Sequence, residues 1–198
     1  MKKNFKSLSV VTLSVLAAGV YLLTGCASAP KQDRVDFVTP ALKMTDSTKT
    51  KLPDTSEAEI ISRFEKFSGD ISTNNILNHL SEVYSADVYF SDPFKQIHGL
   101  PDFQTYLLKD SSAVAQYDIE WQDVGKSDGD YYFRWVMNVK LKRDSKDKPP
   151  IRTCGISQIR FGADGKVVYE QDYFDAAAFL YEQIPILGGE IRFIKKRL

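Results

Sequence analysis

The feature that most limits what this chain can fold into is a change of hydrophobic period about half-way along it. Between residues 56 and 107 the apolar side chains recur every three or four positions: Ile60, Phe64 and Phe67, then Ile76, Leu77, Leu80 and Tyr84, then Phe103, Tyr106 and Leu107. That is the spacing of helices with one buried face. From residue 117 onward the spacing falls to two. Residues 117–124, 131–142, 151–161 and 166–175 read as strands, separated by the turn-rich stretches KSDGD, DSKDKPP and GADG. Helices first, then strands joined by short turns, make the domain α+β, with one curved antiparallel sheet covered by helices on one face.

Local signals punctuate this frame. Ser56 followed by Glu59 has the form of a capping box and predicts a first helix running to about Ser68, where Gly69 stops it. Residues 73–84 form a second helix, Val88 to Phe90 a short strand, and Asp92-Pro93 a turn. Pro101 suits the first turn of a third helix.

The first 55 residues have a different character. Lys2, Lys3 and Lys6 precede an apolar run at residues 8–23 that is short for a membrane span, so residues 1–25 read as an export signal. Leu23-Thr24-Gly25-Cys26 resembles the lipobox of bacterial lipoproteins. The resemblance implies that Cys26 becomes the first mature residue and carries a diacylglycerol and an acyl chain such as palmitate. Ala27, where the inner-membrane sorting pattern has Asp, implies an outer-membrane lipoprotein facing the periplasm. Residues 26–55, mixed in Pro, Ser, Thr and Lys without a period, read as a tether with a reach of roughly 30 Å. The folded domain is then 56–198. With Cys26 acylated, Cys154 has no partner in the chain, and its apolar strand context predicts a buried core residue. Lys and Arg number 26, as do Asp and Glu, so no global field draws in nucleic acid. Two separated histidines, His79 and His98, and no clustered cysteines leave no metal-site pattern, and no cofactor motif is present.

The helical pair, YSADVYFSDPFKQIHGLPDFQTYL and ISQIRFGADGKVVYEQDYFD together resemble the nuclear transport factor 2-like superfamily, also called SnoaL-like or ketosteroid-isomerase-like, over residues 56–175. The resemblance implies a cone-shaped sheet with a pocket inside it. It places Asp92 where the isomerases keep a general base. Phe64 and Ser157 stand near the positions of their two oxyanion donors, and Phe64 has no proton to donate.

Strand parity gives the pocket a wall. In residues 131–141 the odd set, Tyr131, Phe133, Trp135, Met137, Val139 and Leu141, is apolar and faces inward, which turns Arg134 outward. That counts against an epoxide-hydrolase-like site, whose arginine lies between two aspartates. Ser157 follows the odd set of the next strand. The resemblance turns Glu170, Asp172 and Phe174 inward, although Val167, Val168, Tyr169 and Tyr173 occupy both phases, and a solvent-facing rim is the competing placement. Asp92, with Asp172 as its partner, is the catalytic candidate. Phe64, Tyr84, Trp135, Ser157, Glu170, Phe174 and His98 complete the candidate pocket. Asp92 has a second reading as the acid that opens an Asp-Pro turn, and His98 one as a strand-end residue.

Three functions follow for such a domain: binding of a small apolar or amphipathic ligand, proton-transfer isomerisation or hydrolysis with Asp92 as base, or a non-catalytic homodimeric scaffold with a filled cone. Near the C-terminus, Leu187, Ile191, Ile194 and Leu198 form an apolar stripe beside Arg192, Lys195, Lys196 and Arg197. It suits either a helix packed on the domain or one lying on a membrane surface.

Overall fold

The computed structural model of the chain describes Leu52 and residues 54–198. The expected export signal, Cys26 and the expected tether up to residue 51 lie outside the described residues. Leu52 is buried in the main hydrophobic cluster, so the packed domain begins before Ser56.

Helix α1 (Asp54–Ser68) already includes Ser56, which corrects its reading as the cap. Ile60, Phe64 and Phe67 are buried along its inner face. Helix α2 (Thr73–Val83) is capped by Ser72, whose Oγ accepts from the Asn75 N–H at 3.3 Å, and it buries Ile76, Leu80 and Val83. Strand β1 (Tyr84–Ser91) follows without a loop and is longer than the three residues expected. Strand β2 (Gln96–His98) turns back along it. Helix α3 (Leu100–Ala113) carries Pro101 in its first turn and buries Phe103. Four long strands complete the sheet: β3 (Val114–Ser127), β4 (Asp130–Leu141), β5 (Ile151–Phe161) and β6 (Val167–Phe174).

The strand order is β2-β1-β6-β5-β4-β3. Strands β3 to β6 form the expected antiparallel meander, and β1 adds to its far edge in parallel with β6. Register shifts in the β3–β4 pair near Gln116 and Gln122, and in the β5–β6 pair near Phe161, insert bulges that bend the sheet around the helices. The sheet stays open. Its concave face and the three helices share one cluster that includes Phe64, Leu80, Phe103, Phe133 and Ile159.

Parity holds along β4, where Tyr131, Phe133, Trp135 and Val139 are buried and Arg134 is exposed, paired with Asp123. In β5 it holds only as far as Ser157. Beyond it Gln158, Ile159, Arg160 and Phe161 are all buried, so this end of the strand is covered on both faces. Cys154 lies on the outward phase and is exposed, which corrects its reading as a core residue.

Past β6, helix α4 (Ala176–Phe179) is capped by Asp175 and leads through a 3₁₀ turn (Tyr181–Gln183) to helix α5 (Leu187–Lys195).

Candidate functional site

The narrow end of the curved sheet is plugged by rings. Phe64 sits 4.7 Å from Phe133 and 5.8 Å from Trp121, centroid to centroid, and meets Tyr84 edge-on. Past Tyr84 the interior opens into a cavity of about 580 Å³, bounded by the α1–α2 turn, α3, the inner faces of β1, β4 and β6, and Phe179 and Leu180. Most of the wall is apolar. Tyr84, Asp92, Glu170, Asp172 and Phe174 line it, whereas Phe64, Trp135, Ser157 and His98 do not. Phe64 is part of the plug. His98 sits exposed on the edge strand against the Tyr89 ring, which corrects its place in the pocket. Trp135 and Ser157 lie one layer behind the wall.

The backbone of the β1–β2 turn holds Asp92. Its Oδ1 accepts from the Phe94 and Lys95 N–H groups, both at 2.7 Å, and its own N–H donates to the Lys95 carbonyl at 3.0 Å. Its Oδ2 accepts from the Tyr106 hydroxyl at 2.5 Å. The two readings of this residue are therefore one geometry. An Asx turn fixes one oxygen, and the buried carboxylate still borders the cavity.

Glu170 and Asp172 are two residues apart on β6 and so share its inner face. Glu170 is buried and accepts from the Tyr84 hydroxyl at 2.8 Å. Burial first, then the charges of Asp172 and Asp92, push its pKa well above the usual carboxylate range, against the opposing pull of Tyr84. The protonated acid is thereby favoured. Asp172 is pushed up to about 7, mainly by burial, with Asp92 adding to it and a Ser157 hydrogen bond opposing it. Ser157 Oγ donates to Asp172 Oδ1 at 2.5 Å and accepts from Trp135 Nε1 at 3.0 Å, which orients the hydroxyl. Gly155 makes room for the indole, because a Cβ there would stand 2.4 Å from Trp135 Cζ2.

Two polar groups of the wall come from α3: Tyr106, which the sequence placed only on the helical stripe, and Asp110, which it did not single out. Tyr106 supplies the hydroxyl on Asp92, and Asp110, exposed at the mouth, is raised to about 6 by partial burial and the Asp92 charge, a shift that solvent there screens. Residues 103, 106 and 110 share one helical face, so extending the stripe of Phe103 and Tyr106 by one turn is the signal that would have found Asp110. Lys142 and Arg143 are the cationic members of the wall; both are exposed, and Lys142 Nζ donates to the Ser112 carbonyl at 2.8 Å. Among the described residues no group of three or more His, Cys, Asp or Glu side chains is placed to hold a metal ion.

The family model of the SnoaL-like domain matches residues 65–170, just over half of the 198-residue chain. The chain belongs to the SnoaL-like family. Solved structures agree on the fold. A nuclear transport factor 2-like protein of unknown function from Exiguobacterium matches with a TM-score of 0.51 at 18% identity, over 59% of this chain and 98% of its own. A ketosteroid-isomerase-like protein from Catenulispora acidiphila, in complex with trimethylamine, matches with 0.52 at 13%, over 62% and 89%. An epoxide hydrolase from M. tuberculosis matches with 0.51 at 14%, over 70% and 97%. Among curated proteins no relative matches the chain. The arrangement in this SnoaL-like domain is an apolar chamber whose polar groups are chiefly carboxylates and the hydroxyls bonded to them. It can receive a proton donor, hold a cation, or pass a proton between acids of different strength.

Proposed function

We propose that this SnoaL-like domain binds a small amphipathic ligand whose apolar body fills the cavity and whose polar end is a hydrogen-bond donor, best met by a protonated amine. The observation that carries this reading is the convergence of Asp92, Glu170 and Asp172 on one cavity wall, where the lining cations, Lys142 and Arg143, are exposed. Ionising Asp172 beside Asp92 sets like charges together on that wall, and a ligand cation relieves the repulsion. The wall also carries Phe67, Phe90, Phe103 and Phe174, whose ring faces attract ammonium groups. The Catenulispora protein of the same fold is in complex with trimethylamine, a small amine. The open cavity is also why the filled-cone scaffold is set aside.

Calorimetry with alkylamines and alcohols of matched chain length tests it. Asp172 titrates at about 7 in the empty site, so a bound cation favours its anion and displaces a proton. Amine affinity should rise from pH 6 to pH 8 with proton release on binding, and Met137→Trp should remove it by filling the cavity. Equal affinity for the alcohols with a flat pH profile would sink the proposal.

A second reading is proton transfer on a carbonyl compound. It is favoured by Asp172, poised near neutrality beside a protonated Glu170, rather than by Asp92, which is occupied by three donors. Deuterium exchange into small ketones that depends on Asp172 would support it. No exchange above the Asp172→Asn background would exclude it.

We also propose that the chain is anchored through acyl chains on Cys26 and faces the periplasm, in the outer membrane. The apolar run followed by Leu23-Thr24-Gly25-Cys26 supports it. Incorporation of a palmitate analogue, lost in Cys26→Ala, is the expected result, and labelling that survives the substitution would refute it.

A further inference from the structure

We propose that residues 184–198 form a second membrane contact, an interfacial segment that docks on an anionic phospholipid surface. Leu187, Ile191 and Ile194 fall on one side of α5, at the spacing of a face that a helix normally buries, and Leu198 follows just past the end of the helix. Here Leu187, Ile194 and Leu198 are exposed, together with Ile184, Ile186 and Phe193. Immediately before the stripe begins, the backbone reinforces the display. Ile186 has φ 70°, a region that β-branched residues avoid, and its side chain is 87% exposed.

The helix is nevertheless held firmly, by its other side. Gly188 sits so close to the 3₁₀ turn that a Cβ would stand 2.1 Å from the Glu182 carbonyl oxygen. Arg192 Nη1 donates to that same carbonyl at 2.9 Å, and Lys195 Nζ pairs with Glu182 at 2.8 Å and Asp175 at 3.0 Å. These contacts to residues 175–182 seat α5 with its apolar stripe outward.

Charge selects the occupant. Between residues 187 and 198 stand Arg192, Lys195, Lys196 and Arg197 against a single acid, Glu190. Lys196 and Arg197 are exposed beside Leu198, and Arg197 lies 4.1 Å over the Phe193 ring. Apolar side chains flanked by cations match the acyl and headgroup layers of an anionic leaflet. A second copy fits less well, because a two-fold contact would bring the same cations together. Nucleic acid would leave the apolar stripe uncovered. No described helix is long and apolar enough to cross a bilayer, so the segment would lie along the surface.

Ile194→Trp in the full chain reads the contact directly, since position 194 is exposed. In vesicles of phosphatidylcholine mixed with phosphatidylglycerol, its emission should shift to the blue. Brominated acyl chains should quench it about twofold more than the parent, whose Trp121 and Trp135 supply the background. Adding Lys196→Glu and Arg197→Glu should abolish the difference. Phe193→Trp gives a second reporter should the first misfold. Quenching equal in pure phosphatidylcholine, or no quenching above the parent, overturns the proposal. A blue shift without bromine quenching overturns it too, because protein would then be covering the stripe.

Discussion

Two faces of one sheet bury acids in opposite ways. On the convex face Asp130 accepts from Arg160 Nε at 2.7 Å and Nη2 at 3.1 Å, and from Gln158 Nε2 at 2.8 Å. Both ends of that pair are almost wholly buried, and every charge has a counter-charge. On the concave face the donors to Asp92, Glu170 and Asp172 among the described residues are neutral: backbone N–H groups, Tyr106, Tyr84 and Ser157. Residues 157 and 158 are neighbours in sequence, yet one serves each face. The contrast separates an acid that holds structure together from acids kept available for something else, because only the second kind carries a standing electrostatic cost.

The comparison breaks most visibly at the convex pair. Asp130→Ala would leave the Arg160 charge buried without its carboxylate and should cost about 3–5 kcal/mol in denaturant unfolding. A loss under about 1 kcal/mol would mean that the pair is not structural.

The concave acids should respond with the opposite sign. Asp172 has a folded pKa above its unfolded one, so the folded state holds an extra proton between about pH 4 and 7 and loses stability as pH rises through that window. Asp172→Asn removes this penalty. Because Asp172 is only partly buried and water screens it, the gain at pH 8 should be about 1–2 kcal/mol, fading toward pH 4. Destabilisation at pH 8 would erase the distinction between the faces.

Tyr84→Phe removes one neutral donor from Glu170 and should cost about 1 kcal/mol, read by thermal melting, while raising the Glu170 pKa further. The smallest effect is at Ser157→Ala. It takes away the hydrogen bond that holds Asp172 down, so carboxyl carbon shifts in NMR should show Asp172 titrating above 7 with stability nearly unchanged. An unmoved titration would place that hydroxyl outside the network.

The same contrast explains how far the residues could be read in order. Alternation along β4 fixed its inner face and turned Arg134 out, because side-chain direction in a strand is a matter of parity alone. At Cys154 parity held, and what failed was the inference of burial from an apolar stretch; beyond Ser157 parity itself failed, because both faces are covered from Gln158 to Phe161. The Asp130–Arg160 pair went unseen for that reason. Tyr106 and Asp110 were on a recognisable helical face, but nothing local said that this face looked onto Asp92, fourteen residues earlier for Tyr106. His98 is the converse case, a titratable residue near the motif that the edge strand carries away from the cavity.

The amino-acid order by itself determined the α+β class, the antiparallel meander and the inner face of β4, since these depend on periods of 3.6 and 2 that neighbouring residues set between themselves. It did not determine the parallel seating of β1 against β6, the split of buried acids between two faces, or the outward stripe of α5. Those were decided only when segments up to about a hundred residues apart came to share one interior, because desolvation and Coulomb energy depend on distance in space and not along the chain.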